Sequence, residues 1–357
     1  MTPPLLSVIV PAYQGAAVLP RSLAALARSD LPREFWELIV VDDASSDATS
    51  EVACAWADRM VSLKGRPHGP GFARNRGVDA STGTWLVFID SDVVVHADTL
   101  RRFRAAIEEH PDFDAIFGAY DESPPAKNFL SQYRNLLHRY VHLQSAGIAD
   151  TFWAGCGAVR RTAFVASGGF DEHRFLRPQI EDIELGYRLR DRGSRILLQP
   201  EIQGTHLKRW TPFGSIRTDL FDRGIPWIRL LLERGGMTQP GNLNLKRGER
   251  FKAMAIGSAL LLLTIAMFWR RPEAVIAAGV LCLAVVLSNL PLLTWFARRR
   301  GRLFALAVVP MNCWYYIVSG LSVILGFGLH LIHGRAELNR RDARAVAVDA
   351  ARSRFPR

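Results

Sequence analysis

The segment Trp85-Leu86-Val87-Phe88-Ile89-Asp90-Ser91-Asp92 constrains this chain more than any other. An uninterrupted run of aliphatic, β-branched and aromatic residues reads as a strand buried on both faces, the kind found in parallel sheets covered by helices. The run stops on two carboxylates separated by one serine, so the acids fall at the strand's C-terminal end. In open α/β sheets that edge is where ligands bind. Two carboxylates this close repel each other unless a cation lies between them, and their oxygens suit Mg2+ or Mn2+, which in turn can hold a diphosphate. The plainer alternative is a strand end passing into a turn, where Asp and Ser are ordinary residues.

The flanking sequence repeats the pattern. Leu5-Leu6-Ser7-Val8-Ile9-Val10 is a strand-like run closed by Pro11-Ala12-Tyr13-Gln14-Gly15, and Leu19, Leu23 and Leu26 then fall on one face of a helix. Trp36-Glu37-Leu38-Ile39-Val40-Val41 is a second buried strand, and it too ends on acids, Asp42-Asp43. Ala44-Ser45-Ser46-Asp47 reads as a turn and N-cap. Met60–Leu63 is a third strand, and Gly69-Pro70-Gly71 opens a helix carrying Ala73, Arg74, Asn75 and Arg76. Strands alternating with helices predict an α/β domain with a mostly parallel central sheet. Two strands ending in acids at one edge are hard to ascribe to turn chemistry alone. A dinucleotide-binding fold would place Gly-x-Gly-x-x-Gly after the first strand, where this chain has Pro-Ala-Tyr-Gln-Gly.

Composition separates the two ends of the chain. The 357 residues are 49% apolar, but from Phe251 to His333 Leu, Ala, Val, Ile and aromatics dominate. The net charge of +11 suits either nucleic acid or an anionic membrane. Its basic clusters, Lys246-Arg247, Arg270-Arg271, Arg298-Arg299-Arg300 and the tail from Arg335, border the apolar segments, which favours membrane lipids as the partner and argues against nucleic acid. Cys54, Cys156, Cys282 and Cys313 have neither disulfide-framework nor zinc spacing, consistent with a reducing cytoplasmic location. The N-terminus passes straight into a strand, without a signal-peptide pattern.

Four motifs in register, Ser7-Val8-Ile9-Val10-Pro11-Ala12-Tyr13, Val41-Asp42-Asp43-Ala44-Ser45-Ser46-Asp47, Ala73-Arg74-Asn75 and Asp90-Ser91-Asp92, make residues 5–210 resemble a family 2 glycosyltransferase of the GT-A fold. The resemblance implies a nucleotide-sugar donor pocket lined by Pro11, Ala12 and Tyr13. In it Asp42 or Asp43 accepts from the base, and Arg74 lies near base or phosphates. It implies that Asp90 contacts the ribose or the cation and that Asp92 coordinates the Mn2+ or Mg2+. A departing nucleoside diphosphate gains negative charge, which a divalent cation stabilises.

The same resemblance reaches the second half of the domain. Trp153, Gly155 and Cys156 belong to a small-residue loop expected under the acceptor, although Cys156 stands where the family usually has a small or amide residue. Glu181-Asp182 opens a helix through Ile183 and Tyr187. Acids favour helix N-termini in any case, but the resemblance makes Asp182 the general base, with Glu181 the lesser candidate. Gly204-Thr205-His206-Leu207-Lys208-Arg209-Trp210 follows two strand-like pieces around Ile196 and Ile202. His206 is a candidate third metal ligand or a contact to the diphosphate, and Lys208 and Arg209 are candidates to neutralise phosphate or to form a basic membrane-facing edge. Processive members carry Gln where this chain has His206, which argues against a polymerase.

The expected organisation is a GT-A catalytic domain over 1–211, amphipathic interfacial helices and linker over 212–250, about three transmembrane spans over 251–333, and a basic tail over 334–357. Phe251–Trp269, Ala274–Phe296 and Leu303–His333 are the apolar runs, the last interrupted by Pro310. This describes a multi-pass cell-membrane protein with a cytoplasmic catalytic domain and a lipid-linked or glycan acceptor. Three spans would export the basic tail, against the usual charge bias, unless the third segment folds back. The rivals are a processive polysaccharide synthase and a non-enzymatic membrane scaffold with a degenerate transferase fold.

Overall fold

Strand β1 (Leu6–Ala12) and strand β2 (Trp36–Asp42) are buried at every position, and β3 (Arg59–Ser62) continues the same layer. Strand β4 (Trp85–Ile89) is buried throughout. These four pair in parallel, in the order β3-β2-β1-β4. Their side chains alternate between two cores. Val8, Val10, Val40, Val87 and Ile89 face one, while Ile9, Ile39, Val41, Leu86 and Phe88 face the other. That is the period-2 consequence of a sheet covered on both sides. Helix α1 (Leu19–Ala27) buries Leu19, Leu23 and Leu26 as the spacing predicts. Helices α2 (Thr49–Cys54) and α3 (Pro70–Asp79) follow β2 and β3.

The computed structural model describes residues 4–235 and 247–353. Beyond β4 the sheet is mixed. Strands β5 (Val93–Val95), β6 (Ala115–Tyr120), β7 (Gly147–Ala149), β8 (Cys156–Arg160) and β9 (Ile196–His206) extend it to β3-β2-β1-β4-β8-β6-β9-β5, with β7 also on β9. Strand β8 runs antiparallel to both β4 and β6. The parallel expectation thus describes the first four strands, and the remaining pairs are antiparallel except β6–β9. The two strand pieces expected around Ile196 and Ile202 are one strand. Its interruption appears instead as an irregular register between the Phe117–Leu198 and Ala119–Gln203 pairs. Pro200 falls inside it, where a residue without N–H belongs.

Helices α4 (Thr99–Glu109), α5 (Phe129–Leu143), α6 (Arg161–Ala166) and α7 (Glu181–Asp191) complete the layers. The amphipathic stretch after them is three pieces, α8 (Pro212–Arg217), a π-helical turn (Thr218–Gly224) and α9 (Ile225–Glu233), with Pro226 in the first turn of α9.

Helix α10 (Arg247–Trp269) and the portion Arg302–Ile332 of α13 (Arg302–Ser353) are each long and apolar enough to cross a membrane. The expected middle run is two helices, α11 (Pro272–Ser288) and α12 (Leu290–Arg300), bent by 57°. Pro291 has no N–H to donate to the Leu287 carbonyl and stands in the first turn of α12, where that donor is not needed, so the break falls just before it, at Asn289. Helix α13 continues through Pro310 without breaking and does not fold back within its described residues. Lys246 and residues 354–357 of the basic tail lie outside the described residues.

The described chain divides into two compact units. One holds residues 4–215, 247–249 and 294–305, and the other 216–235, 250–293 and 306–353. Within the first, Phe296 is fully buried and stacks on Tyr133 of α5, and Phe304 meets Phe129 at 4.8 Å. Within the second, Ala255, Ile256, Val285 and Tyr316 form a small core. There the buried Asn289 side chain accepts from Lys252 Nζ at 3.0 Å and from Tyr316 OH at 3.2 Å.

Candidate active site

The acids that end β4 are joined to the acids that open α7 through one guanidinium. Arg74, in α3, donates from Nη2 to Asp90 Oδ1 at 2.7 Å and from Nη1 to Glu181 Oε1 at 2.9 Å. Its side chain is only 5% exposed, so both contacts are made away from bulk water. Asp90 is half-buried. Burial raises its carboxyl above the usual range, Arg74 opposes this, and the neighbouring Asp92 charge adds to it. Arg74 itself is held firmly protonated: burial disfavours its charge, but Asp90, Glu181 and Asp182 outweigh that.

Asp92 stands on the other side of the serine. The chain turns at once into β5, whose Val93 pairs with His206 at the end of β9. That register brings His206 Nε2 to 3.3 Å from Asp92 Oδ2. Burial works to raise the Asp92 carboxyl, but the His206 hydrogen bond and the charges of His206 and Lys208 prevail and hold it low. Among the described residues no group of three or more His, Cys, Asp or Glu converges as a ready metal cage. The protein itself therefore offers the Asp92–His206 pair, with Asp90 turned onto Arg74.

Glu181 is occupied on both oxygens, by Arg74 and by the Gln179 N–H at 2.9 Å. Asp182 is half-buried and accepts from the Ala154 N–H at 3.1 Å and the Ile183 N–H at 2.8 Å. Burial and the Glu181 charge raise its carboxyl to about 6, while Arg74 and those two N–H groups limit the rise. A carboxylate poised there is suited to take a proton near neutrality.

The loop under Asp182 is shaped by glycine. A Cβ on Gly155 would lie 2.5 Å from the Trp153 ring, so the indole folds directly over it. The Gly155 carbonyl also accepts from the Asp90 N–H at 3.1 Å. Trp153 meets Tyr120 and His138, each at 4.8 Å between ring centroids. Cys156 is fully buried opposite Ile89 in the β4–β8 pair. Burial, together with the Asp90 charge, pushes its thiol far up, so it is an inert core residue in this setting.

Pro11 and Ala12 are buried at the end of β1, and Tyr13 is 51% exposed. Both neighbouring carboxylates already hold protein donors. Asp42 accepts from the Ser45 N–H at 3.1 Å and from Ser50 Oγ, and Asp43 from the N–H groups of His68 and Gly69. Lys208 and Arg209 are exposed. Lys208 Nζ and the Arg134 guanidinium both lie over the Trp210 ring, at 4.2 and 3.9 Å.

The sequence reading passed over Tyr120, Asp121, His96 and His68. A signal for the first two existed, since Ala115–Tyr120 is a third buried run ending on an acid. Glu172, in the Gly168-Gly169-Phe170-Asp171-Glu172 turn, binds Arg76 and Asn75 at 2.9 Å each and so clamps that turn to α3.

The chain is similar to known proteins in sequence and in fold. Residues 7–167 match the family described as glycosyl transferase family 2. A PGL/p-HBAD biosynthesis glycosyltransferase of Mycobacterium tuberculosis is 39% identical over 123 residues, covering 33% of this chain and 47% of that protein. Validoxylamine A glucosyltransferase of Streptomyces hygroscopicus subsp. jinggangensis is 28% identical over 235 residues, 56% of this chain and 55% of that one. The chain therefore spans about half the length of the curated relatives it matches. Among solved structures, the mannosyltransferase PcManGT from Pyrobaculum calidifontis, in complex with GDP-Man and Mn2+, superimposes with a TM-score of 0.55 at 18% identity. The match covers 91% of this chain and 88% of that one, and it shows the shared GT-A fold.

Proposed function

We propose, from the match of residues 7–167 to glycosyl transferase family 2, that the chain is an inverting glycosyltransferase of that family. It moves a sugar from a nucleoside diphosphate to an acceptor hydroxyl. The observation that carries this reading is Arg74. It holds Asp90 of the donor edge and Glu181 beside Asp182, positions 16 and 107 residues away in sequence, on one guanidinium.

In the reaction, the acceptor oxygen forms a bond to the anomeric carbon as the bond from that carbon to the phosphate oxygen breaks. The electron pair leaves with the diphosphate. Asp182 takes the acceptor proton, and a single in-line displacement inverts the anomeric centre. Glu181 is held by Arg74 and Gln179 and acts by keeping Arg74 in place. Lys208 and Arg209 face the phosphate charge. Asp92 and His206, an oxygen and a nitrogen donor within 3.3 Å of each other, fit one side of a Mn2+ or Mg2+ site. A divalent cation there supplies neutralisation of the leaving diphosphate, whose oxygens and water would complete its ligands.

Two helices long and apolar enough to cross a membrane support a position at a bilayer. We take the catalytic domain as cytoplasmic, on the Arg298–Arg300 cluster that precedes α13, and the acceptor as a lipid-linked or surface glycan. The organisation follows as a catalytic domain to about residue 211, interfacial helices, spans and a basic tail. Histidine at position 206 and the small number of spans set it apart from a chain-extending synthase, and the intact Asp92 and Asp182 from a scaffold.

Asp182→Asn tests the assignment. Membranes carrying the full chain, screened with UDP-, GDP- and dTDP-sugars plus Mn2+, should show transfer that the variant loses by about 100- to 10,000-fold, the usual contribution of a general base. Nucleotide binding should persist. Transfer at the wild-type rate with the variant sinks the proposed base.

A further inference from the structure

The last residue of β6 and the two that follow it each have partners of their own. The Tyr120 ring lies flat on His206, with centroids 4.4 Å apart and planes within 5°. The Asp121 carboxylate accepts from Thr205 Oγ1, the residue before His206, and lies 3.0 Å from His96 Nε2. Its own N–H donates to the Gly204 carbonyl at 3.0 Å, so side chain and backbone together pin the last residues of β9. The Glu122 carboxylate accepts from Arg299 Nε at 2.7 Å, and its carbonyl accepts from Arg300 Nη2. Arg299 and Arg300 belong to the end of α12, which is seated on α5 by Phe296 and Tyr133.

A histidine that binds a cation has its ring plane and nitrogen direction set by the groups behind it, and loss of such groups weakens metal affinity. Here the ring plane is set by a stacked phenol. The strand end is set by a carboxylate, and that carboxylate's neighbour is tied to a helix from the far end of the chain. We propose that Tyr120-Asp121-Glu122 is the positioning segment for His206: Tyr120 orients the imidazole, Asp121 fixes the end of β9, and Glu122 links both to α12. This rests on reading Asp92 and His206 as the cation ligands.

The test is the affinity of the full-length chain in detergent for Mn2+ alone, read from the paramagnetic resonance signal of the free ion. Tyr120→Leu and Asp121→Asn should each raise the dissociation constant about tenfold, the range found when outer partners of a ligating histidine are removed. Tyr120→Phe keeps the stack and should stay within about twofold, and Arg299→Gln should weaken binding roughly threefold. Wild-type affinity in Tyr120→Leu, beside a weakened His206→Ala, overturns the positioning role while the ligand stands. Wild-type affinity in His206→Ala instead overturns the ligand reading beneath it. Asp121→Asn changes almost no volume, so it decides the matter if Tyr120→Leu does not fold. Arg299→Gln at wild-type affinity removes α12 from the link.

Discussion

Asp90 and Glu181 meet on the two terminal nitrogens of Arg74, in a setting with little water to screen them. A lysine cannot replace this, because its ammonium is a point charge without the planar fork that reaches two carboxylates at once. Arg74→Lys keeps the charge but leaves one carboxylate without its donor, so it should lower kcat/KM by roughly 100-fold and destabilise the fold by about 1–3 kcal/mol, the cost of an unsatisfied buried acceptor. Steady-state kinetics and a denaturant midpoint check both. Asp182 behaves differently, because its carboxyl is raised by burial and by Glu181 to about 6. If Asp182 is the base proposed above, it must be ionised, so kcat/KM should rise with pH through about 6 and fall to roughly one tenth of its plateau at pH 5. A raised carboxyl also means that the folded state prefers Asp182 protonated. That stabilisation is complete below the ordinary aspartate range near 4 and is lost as pH rises through about 6. A pH–rate profile flat from 5 to 8 under chemistry-limited conditions is the contrary result.

At the level of elements, helix α7 delivers Asp182 only because it approaches the 151–155 loop closely. A Cβ on Gly186 would lie 2.3 Å from the Phe152 backbone nitrogen, with no flexible side chain there to yield. Gly186→Ala should therefore push α7 away, lengthen the Ala154–Asp182 hydrogen bond, and cost about 2 kcal/mol of stability. A melting curve with a parallel transfer assay measures both, and an unchanged melting point would mean that the helix has room to shift. The elements that the sequence made legible are those with strong local pattern. Continuous apolar runs marked β1, β2 and β4, and acids at the ends of β2 and β4 marked one sheet edge. Strand β8 was not legible as a strand, because Cys156-Gly157-Ala158 looks like a small-residue loop until β4 and β6 are seen pairing on either side of it. Strand β5 is three residues long and follows Asp92 directly, so nothing local announces that it carries the acid to His206. The Arg74–Glu181 bridge spans 107 residues and leaves no periodic trace at all.

On the scale of the whole chain, the basic cluster Arg298–Arg300 reads in sequence as a charged loop beside a membrane. In the structure two of those arginines also bind residues of the first compact unit. Arg299 binds the Glu122 carboxylate, and Arg300 binds the Gln132 amide oxygen at 2.9 Å. Residues 294–305 are counted with that unit because Phe296 and Phe304 supply apolar surface that α5 otherwise lacks. A fragment ending at residue 215 would keep the acids, Arg74 and His206, yet it would leave Phe129, Tyr133 and Gln132 uncovered. Losing a fully buried Phe side chain alone corresponds to about 1.5–3 kcal/mol, so with Phe304 and the two arginines the fragment should be less stable by about 3–5 kcal/mol. The loss should concentrate in α5 and the 121–127 loop, where amide hydrogen exchange of the fragment should quicken relative to the full chain while β1, β2 and β4 remain protected. Adding residues 294–305 back as a separate peptide should slow exchange in α5 again. Identical α5 protection in fragment and full chain would show instead that the helix contributes nothing to the catalytic unit, and that the apolar region serves it as an anchor alone.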